Sequence, residues 1–281
     1  MTESLDINHL RSWIGREDEA SEVVTPDLVR KFRATLDLPG GDPAPGEPAP
    51  RLIHFCLTQP AVPQAELGPD GHPARGGFLL PVPLPRRMWA GGELSFRQNI
   101  RIGDMVRRVS RIADVVLKEG RTGPLCFVTV EHRIEANGAL ALEERQDIVY
   151  RGTETGGVAK PPAPAETGTH RREIEISAPL LFRYSALTFN GHRIHYDRRY
   201  AVEIEGYPGL VVHGPLQATL LLNFAGVIRG APPSRFAFRS LSPLFDDDPV
   251  RLHASEDGEK LKLWTARENG PVAMIAEARW S

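Results

Sequence analysis

"YPGLVVHGPLQATLLLNFAGV", Tyr207 to Val227, decides the fold. From Leu210 to Gly226 almost every position is apolar, so no face of the segment is left for water. A helix of that kind is covered on all sides. The run is shorter than the roughly 20 residues that cross a bilayer, so the cover must be protein. Downstream, "FAFRSLSPLFDDDPVRLHASEDGEKLKLWTARENGPVAMIAEARW", Phe236 to Trp280, reads as three strand-like runs broken by glycine turns. A buried helix followed by antiparallel strands predicts an α+β fold in which a sheet curls around one central helix.

The first half of the chain has a related plan. "RIGDMVRRVSRIADVVLKEG" (Arg101–Gly120) and "GPLCFVTVEHRIEANGALALEERQDIVY" (Gly123–Tyr150) alternate apolar and polar residues between Gly and Asn-Gly turns, which predicts a three-stranded meander. "TPDLVRKFRATLDLPGG" predicts a helix with Thr25 as N-cap, Pro26 and Asp27 in its first turn, Gly40 beyond its end, and Leu28, Phe32 and Leu36 on its buried face. "IGDMV" (Ile102–Val106) and "DDDPV" (Asp246–Val250) fall at comparable places in the two meanders, a degenerate repeat. Between the halves, "RGTETGGVAKPPAPAETGTHRR" lacks apolar periodicity and reads as a linker. The expected organisation is therefore residues 1–150, a linker over 151–172, and a second unit over 173–281.

With 34 basic and 36 acidic residues in 281, the formal charge is −2, so no global field draws in nucleic acid or an anionic membrane. An anionic ligand must be held by local groups. Cys56 and Cys126 sit in apolar runs without metal-ligand spacing, which predicts buried free thiols in a reducing compartment. The segment "MTESLDINHLRSW" has neither a signal peptide's apolar core nor a transit peptide's Arg/Ser bias, so a cytoplasmic protein is expected.

Chemistry concentrates in "TFNGHRIHYD", Thr188 to Asp197. A lone histidine in such a loop usually satisfies backbone groups, but this one has company. Asn190 and His195 stand five residues apart across Gly191, and the loop can aim both at one point. Gly214 falls where the buried helix should begin, a place where unpaired N–H groups and the positive end of the dipole receive an anion. Hydration of an α,β-unsaturated thioester needs this pairing of a general base with an oxyanion site. His195 is expected to be the base, Asn190 to orient water, and Gly214 to donate to the thioester oxygen. His192 and His213 are expected to be structural.

The stretch "FRYSALTFNGHRIHYDRRYAVEIEGYPGLVVHGPLQATLL" resembles the hydratase box of MaoC-like hydratases and type 2 hydroxyacyl-thioester dehydratases, and "RRMWAGGELSF" (Arg86–Phe96) resembles the N-terminal half of their two-domain members. The resemblance implies a double hot-dog fold, a sheet around a central helix in each half. It also puts His195 on the catalytic histidine position and Gly214 on the oxyanion position. Where many MaoC-like hydratases carry an aspartate, this chain has Asn190; an amide cannot exchange a proton, so His195 would carry both transfers.

The N-terminal half shows no second box, since His54, His72 and His132 stand apart. Its expected role is to shape the acyl pocket, with Trp89 lining it beside Gly91 and Gly92. Arg183, Arg193, Arg198 and Arg199 flank the box and are candidates for CoA phosphates or an acyl carboxylate, Arg183 and Arg193 first. The implied partner is an acyl-CoA, with no metal and no cofactor beyond the CoA of the substrate. Assembly with further copies is compatible with the chain.

The leading expectation is reversible hydration of a short branched dicarboxylyl thioester such as itaconyl-CoA or mesaconyl-C4-CoA. The alternatives are a 3-hydroxyacyl-ACP dehydratase and a non-catalytic acyl-CoA binding module. A thioesterase would need Asp197 to activate water.

Overall fold

The computed structural model describes residues 5–120, 123–152 and 162–280. In chain order these residues form α1 (Ile7–Arg11), β1 (Glu17–Val23), α2 (Pro26–Thr35), β2 (Arg86–Phe96), β3 (Met105–Gly120), β4 (Gly123–Ala136), β5 (Ala139–Arg151), β6 (His170–Ile174), α3 (Ala178–Leu187), α4 (Gly214–Arg229), β7 (Arg235–Ser240), β8 (Val250–Asp257), β9 (Lys260–Ala266) and β10 (Val272–Arg279).

The strands make one antiparallel sheet in the order β1-β3-β4-β5-β2-β7-β10-β9-β8-β6. Its two halves mirror each other: adding five to each strand number of the first half gives the strand in the same place in the second. This is the double hot-dog, its two sheets joined edge to edge where Gly91–Ser95 of β2 pairs with Arg235–Arg239 of β7. The faint repeat in the sequence is real in space, because Val106 lies near the start of β3 and Val250 opens its counterpart β8.

Local chemistry explains the elements. Asn137 and Gly138 take φ of 50° and 82°, the left-handed pair that an Asn-Gly hairpin turn between β4 and β5 requires. Thr25 caps α2 by accepting from the Leu28 N–H at 3.1 Å. The buried face of α2 carries Val29, Phe32 and Thr35, with Leu36 beyond it, while Leu28 is only half-buried. Helix α4 lies against β8, β9 and β10, and its Leu216, Ala218, Leu221 and Ala225 are wholly buried. Each leucine of that kind stabilises the fold by about 1.5–3 kcal/mol. Two of its buried polar side chains are hydrogen-bonded: Gln217 Oε1 accepts from Thr265 at 2.7 Å, and Thr219 donates to the Pro215 carbonyl at 2.8 Å. Gly230, at φ 70°, ends the helix.

Two expectations are corrected. The stretch after α4 forms four strands rather than three, because the six-residue β7 is a separate strand that pairs with β2 and β10. The first half has no long helix at the position of α4 among the described residues; the chain from Leu57 to Pro85 crosses there with only one short 3-10 turn, Gln64–Glu66. The expected linker, 151–172, lies partly outside the described residues, which omit 153–161. Of its remainder, Arg151 closes β5 and His170–Arg172 open β6. Cys56 and Cys126 are buried free thiols, and burial raises them to about 12 and about 11. No helix among the described residues is long and apolar enough to cross a membrane.

Candidate active site

The loop between α3 and α4 is held at both ends. Thr188, at the C-cap of α3, donates its hydroxyl to the Tyr184 carbonyl at 2.8 Å, and Phe189 reverses the chain at φ 47°. The Asn190 N–H then donates to the Ser185 carbonyl at 2.8 Å, while its Oδ1 accepts from the His192 N–H at 3.0 Å. That Asx turn sets up a single 3-10 turn, Arg193–His195. Downstream, the Val211 N–H donates to the Ile194 carbonyl at 2.9 Å, bringing the entrance of α4 against the turn.

His195 is buried, and its Nδ1–H donates to the Val211 carbonyl at 2.7 Å. A carbonyl can only accept, so this bond fixes the tautomer: the lone pair is on Nε2, which has no protein partner among the described residues. The His213 ring stacks on it, with centroids 3.7 Å apart and planes 18° from parallel. His213 is the N-cap of α4, and its Nε2 shares a 2.8 Å hydrogen bond with the buried Ser185 hydroxyl. Burial pushes the His195 imidazolium down to about 4, opposed by the Val211 carbonyl, and burial with His195 alongside holds His213 well below its usual range. Both rings are therefore neutral near pH 7.

Helix α4 starts at Gly214 with no side-chain cap, so among the described residues the first-turn N–H groups of Gly214 and Leu216 donate to no side chain; Pro215 has no N–H to offer. A cavity of about 1560 Å³ is lined by His195, Asn190, His213 and Gly214 together with Trp89 from the first half. Trp89 donates to the Gly91 carbonyl at 2.9 Å and packs edge-on against Phe55, with centroids 5.2 Å apart. The structure thus places Asn190, His195, Gly214 and Trp89 on one cavity.

Arg183 and Arg193 do not line it. Arg183 is exposed on α3. Arg193 is tied to Asp197 at 2.8 Å, donates to the Pro69 carbonyl at 3.1 Å and lies over the Tyr200 ring. Arg198 pairs with Asp246 and Arg199 with Glu203. Nearness in sequence misled here, because the side chains of a tight turn diverge. Asp197 is likewise engaged, by Arg193 and by the Tyr200 N–H, and lies off the cavity wall.

The first half contributes more than sequence reasoning found. Its segment Pro69–His72 crosses the box, with the Asp70 carbonyl accepting from the Arg193 N–H at 2.9 Å. At the crossing Gly71 and Gly191 meet backbone to backbone: a Cβ on Gly71 would sit 2.0 Å from the Gly191 carbonyl oxygen, and one on Gly191 2.5 Å from that of Gly71. Gly191 therefore serves close approach, since its φ is not positive. Gly91 and Gly92 likewise admit neighbouring strands, their added Cβ atoms falling 2.6 and 2.7 Å from the carbonyl oxygens of Phe238 and Arg145.

The crossing brings His72 against His192, rings tilted by 41° with centroids 4.2 Å apart, and His192 meets His195 edge-on at 5.3 Å. A row of imidazoles thus runs from the first half to the candidate base. His72 Nδ1 shares a 3.0 Å hydrogen bond with Asp70, which holds that carboxyl below its usual range against the effect of burial. Asp70, His72 and His192 bring possible metal-ligand atoms within 4.8 Å of one another.

The three histidines of the first half do not stand apart either. The 3-10 turn Ile53–Cys56 follows β1 and α2 as Arg193–His195 follows β6 and α3, so "Ile53-His54-Phe55" occupies the place of "Ile194-His195-Tyr196". His54 differs in its partner: Nε2 shares a 3.1 Å contact with Oε2 of Glu144, and both side chains are buried. Its Nε2 is engaged where that of His195 has no partner among the described residues. His132 lies nearby, bonded to Ser110 at 2.8 Å and Gln146 at 3.1 Å.

Comparison with known proteins gives the chain's relatives. The family described as hydroxyacyl-thioester dehydratase type 2 matches residues 52–246. The chain is 45% identical over 269 residues to a mesaconyl-C(4)-CoA hydratase of Chloroflexus aurantiacus, covering 94% of this chain and 95% of that one. It is 28% identical to a mitochondrial hydroxyacyl-thioester dehydratase type 2 of Schizosaccharomyces pombe, over 80% of this chain and 84% of that one. Among solved structures, a MaoC-like dehydratase of Phytophthora capsici superposes with a TM-score of 0.71 at 13% identity, covering 99% of both chains.

Proposed function

The chain belongs to the hydroxyacyl-thioester dehydratase type 2 family, and from that premise we propose that it reversibly hydrates an α,β-unsaturated acyl-CoA, with a short branched dicarboxylyl thioester of the mesaconyl-C4 type as substrate. The 45% identity to a mesaconyl-C(4)-CoA hydratase supports the substrate class. The observation that carries the chemistry is the His195 tautomer: a neutral imidazole with a free Nε2, on the same cavity as the uncapped start of α4.

In the hydration direction, Nε2 takes a proton from water as the water oxygen bonds to the β-carbon. The electron pair of the C=C bond moves toward the thioester, and negative charge develops on its oxygen. The Gly214 N–H and the positive end of α4 receive that charge. His195 then returns the proton to the α-carbon and is neutral again, so atoms and charge balance. The Asn190 side chain positions the water, its Oδ1 already oriented by the His192 N–H. A base at about 4 is weaker than one tuned to neutrality, and an anionic substrate in the same cavity raises it toward the working range.

The scheme calls on no metal and no cofactor beyond the CoA of the substrate. Hydrolysis of the thioester finds no support, because Asp197, the nearby carboxylate it would need, is held by Arg193. Incubating the protein with mesaconyl-C4-CoA while following enoyl-thioester absorbance and free thiol tests the reading. Loss of absorbance without thiol release is expected. Thiol release, or no change in either, would contradict it.

A further inference from the structure

Mesaconyl thioesterified at C4 carries its free carboxylate on the carbon that water attacks. In such a substrate the carboxylate lies one bond from the reacting centre, so its cationic partner must stand beside the His195 end of the cavity. A desolvated carboxylate without a partner binds poorly, which makes this group decisive for selection.

Among the described residues five arginines line the cavity: Arg75, Arg86, Arg87, Arg108 and Arg151. Arg75 is occupied by the carbonyls of Val82, Leu84 and Pro85. Arg86 donates to the Glu205 carbonyl at 2.9 Å and faces that residue's carboxylate at 3.6 Å. Arg108 donates to the Thr58 carbonyl at 2.6 Å and stands near Asp18 and Glu144, a setting that repels a further carboxylate. Among the described residues neither Arg87 nor Arg151 makes an ion pair. They differ in surroundings. Arg87 is near enough to act electrostatically on His72 and His192, the two rings that lead to His195, whereas Arg151 is not among the groups that do so. On the β2–β5 ladder Arg87 lies opposite Tyr150, whose buried hydroxyl stands beside the guanidinium and which also lines the cavity. Arg87 shares its face of β2 with Trp89, two residues on.

We infer that Arg87, with the Tyr150 hydroxyl beside it, receives the free carboxylate on the β-carbon of the acyl group and thereby sets substrate choice. The guanidinium can take both carboxylate oxygens, and it lowers the electrostatic cost of bringing a water nucleophile up to a carbon that bears a negative group. The inference rests on the acyl-CoA hydratase reading above.

The test compares mesaconyl-C4-CoA with 3-methylcrotonyl-CoA, in which a methyl replaces the carboxylate on the same carbon. The kcat/KM ratio of the two is measured for the unmodified protein and for Arg87→Leu, Arg87→Lys, Arg151→Leu and Arg183→Leu, with thermal melting to confirm folding. The unmodified protein is expected to favour mesaconyl-C4-CoA by about 10²-fold or more. Arg87→Leu should reduce the ratio to near unity, Arg87→Lys should restore part of it, and Arg151→Leu and Arg183→Leu should keep it. A folded Arg87→Leu that retains the ratio, or an Arg151→Leu that loses it, overturns the assignment. An unmodified protein that hydrates 3-methylcrotonyl-CoA as well as mesaconyl-C4-CoA fails the dicarboxylyl reading instead. One that hydrates neither fails the hydratase reading.

Discussion

Adding one methyl group at Gly214 should move stability and activity in opposite directions. Gly214 opens α4 without a positive φ, and a Cβ built there would meet Ser240 Oγ at 3.7 Å, the Trp89 carbonyl oxygen at 3.8 Å and Met274 Cε at 4.0 Å. All three are ordinary van der Waals contacts, so Gly214→Ala fits the folded chain. Losing a glycine's freedom in the unfolded state stabilises by about 0.4–1 kcal/mol, a rise of roughly 1–3 °C in Tm for a domain of this size. The new methyl, however, would stand in the cavity wall between Ser240 and Trp89, next to the N–H assigned to the thioester oxygen. Displacing the substrate from one oxyanion donor costs about 2.7–4 kcal/mol of barrier, or about 10²–10³ in rate. Differential scanning fluorimetry and steady-state hydration of mesaconyl-C4-CoA on one preparation read both effects. Turnover within about threefold of the unmodified protein would remove Gly214 from the oxyanion site. A Tm several degrees lower would contradict the packing described here.

Because burial holds His195 at about 4 in the fold, kcat/KM should be flat through neutrality and fall only as pH drops toward that value; a limb near the ordinary histidine value of about 6.5 would contradict it. The same depression makes the protonated form favour the unfolded chain, so stability is full above about 6.5 and lost as pH falls toward about 4, by about 3 kcal/mol for this group, readable in denaturant midpoints. Asn190→Asp keeps an acceptor for the His192 N–H and should retain partial turnover, while Asn190→Ala should lose about 10²-fold; equal losses would remove the water-orienting role. Dialysis against a chelator should leave turnover within about twofold, and a larger loss restored by a divalent ion would bring Asp70, His72 and His192 into the mechanism as metal ligands.

What the sequence disclosed was what short-range pattern encodes. The apolar surround of Leu216 to Ala225 required a covered helix, Asn137-Gly138 required a hairpin, and Thr25-Pro26 marked a helix start. What it withheld depends on residues that meet only in space. Gly71 and Gly191 are 120 positions apart, and neither sequence context predicts that their backbones touch. His54 could not be matched to His195 by inspection, since the match rests on two helices and two strands of equal order and its distinguishing partner, Glu144, lies 90 residues away. Nearness to the box singles out Arg183, which faces solvent, while Arg87, about 100 residues upstream, lines the cavity. β7 escaped notice as a separate strand because only six residues, between a proline pair and another proline, form it.

Catalysis by this site requires a free, neutral His195 acting as the base. Single-turnover hydration of mesaconyl-C4-CoA by His195→Ala, with CoA-ester affinity measured in parallel, tests it most directly. The rate should fall by at least about 10² while affinity stays within a few fold, because the lost interaction belongs to the transition state. A His195→Ala protein that hydrates at near-normal rate would contradict the account.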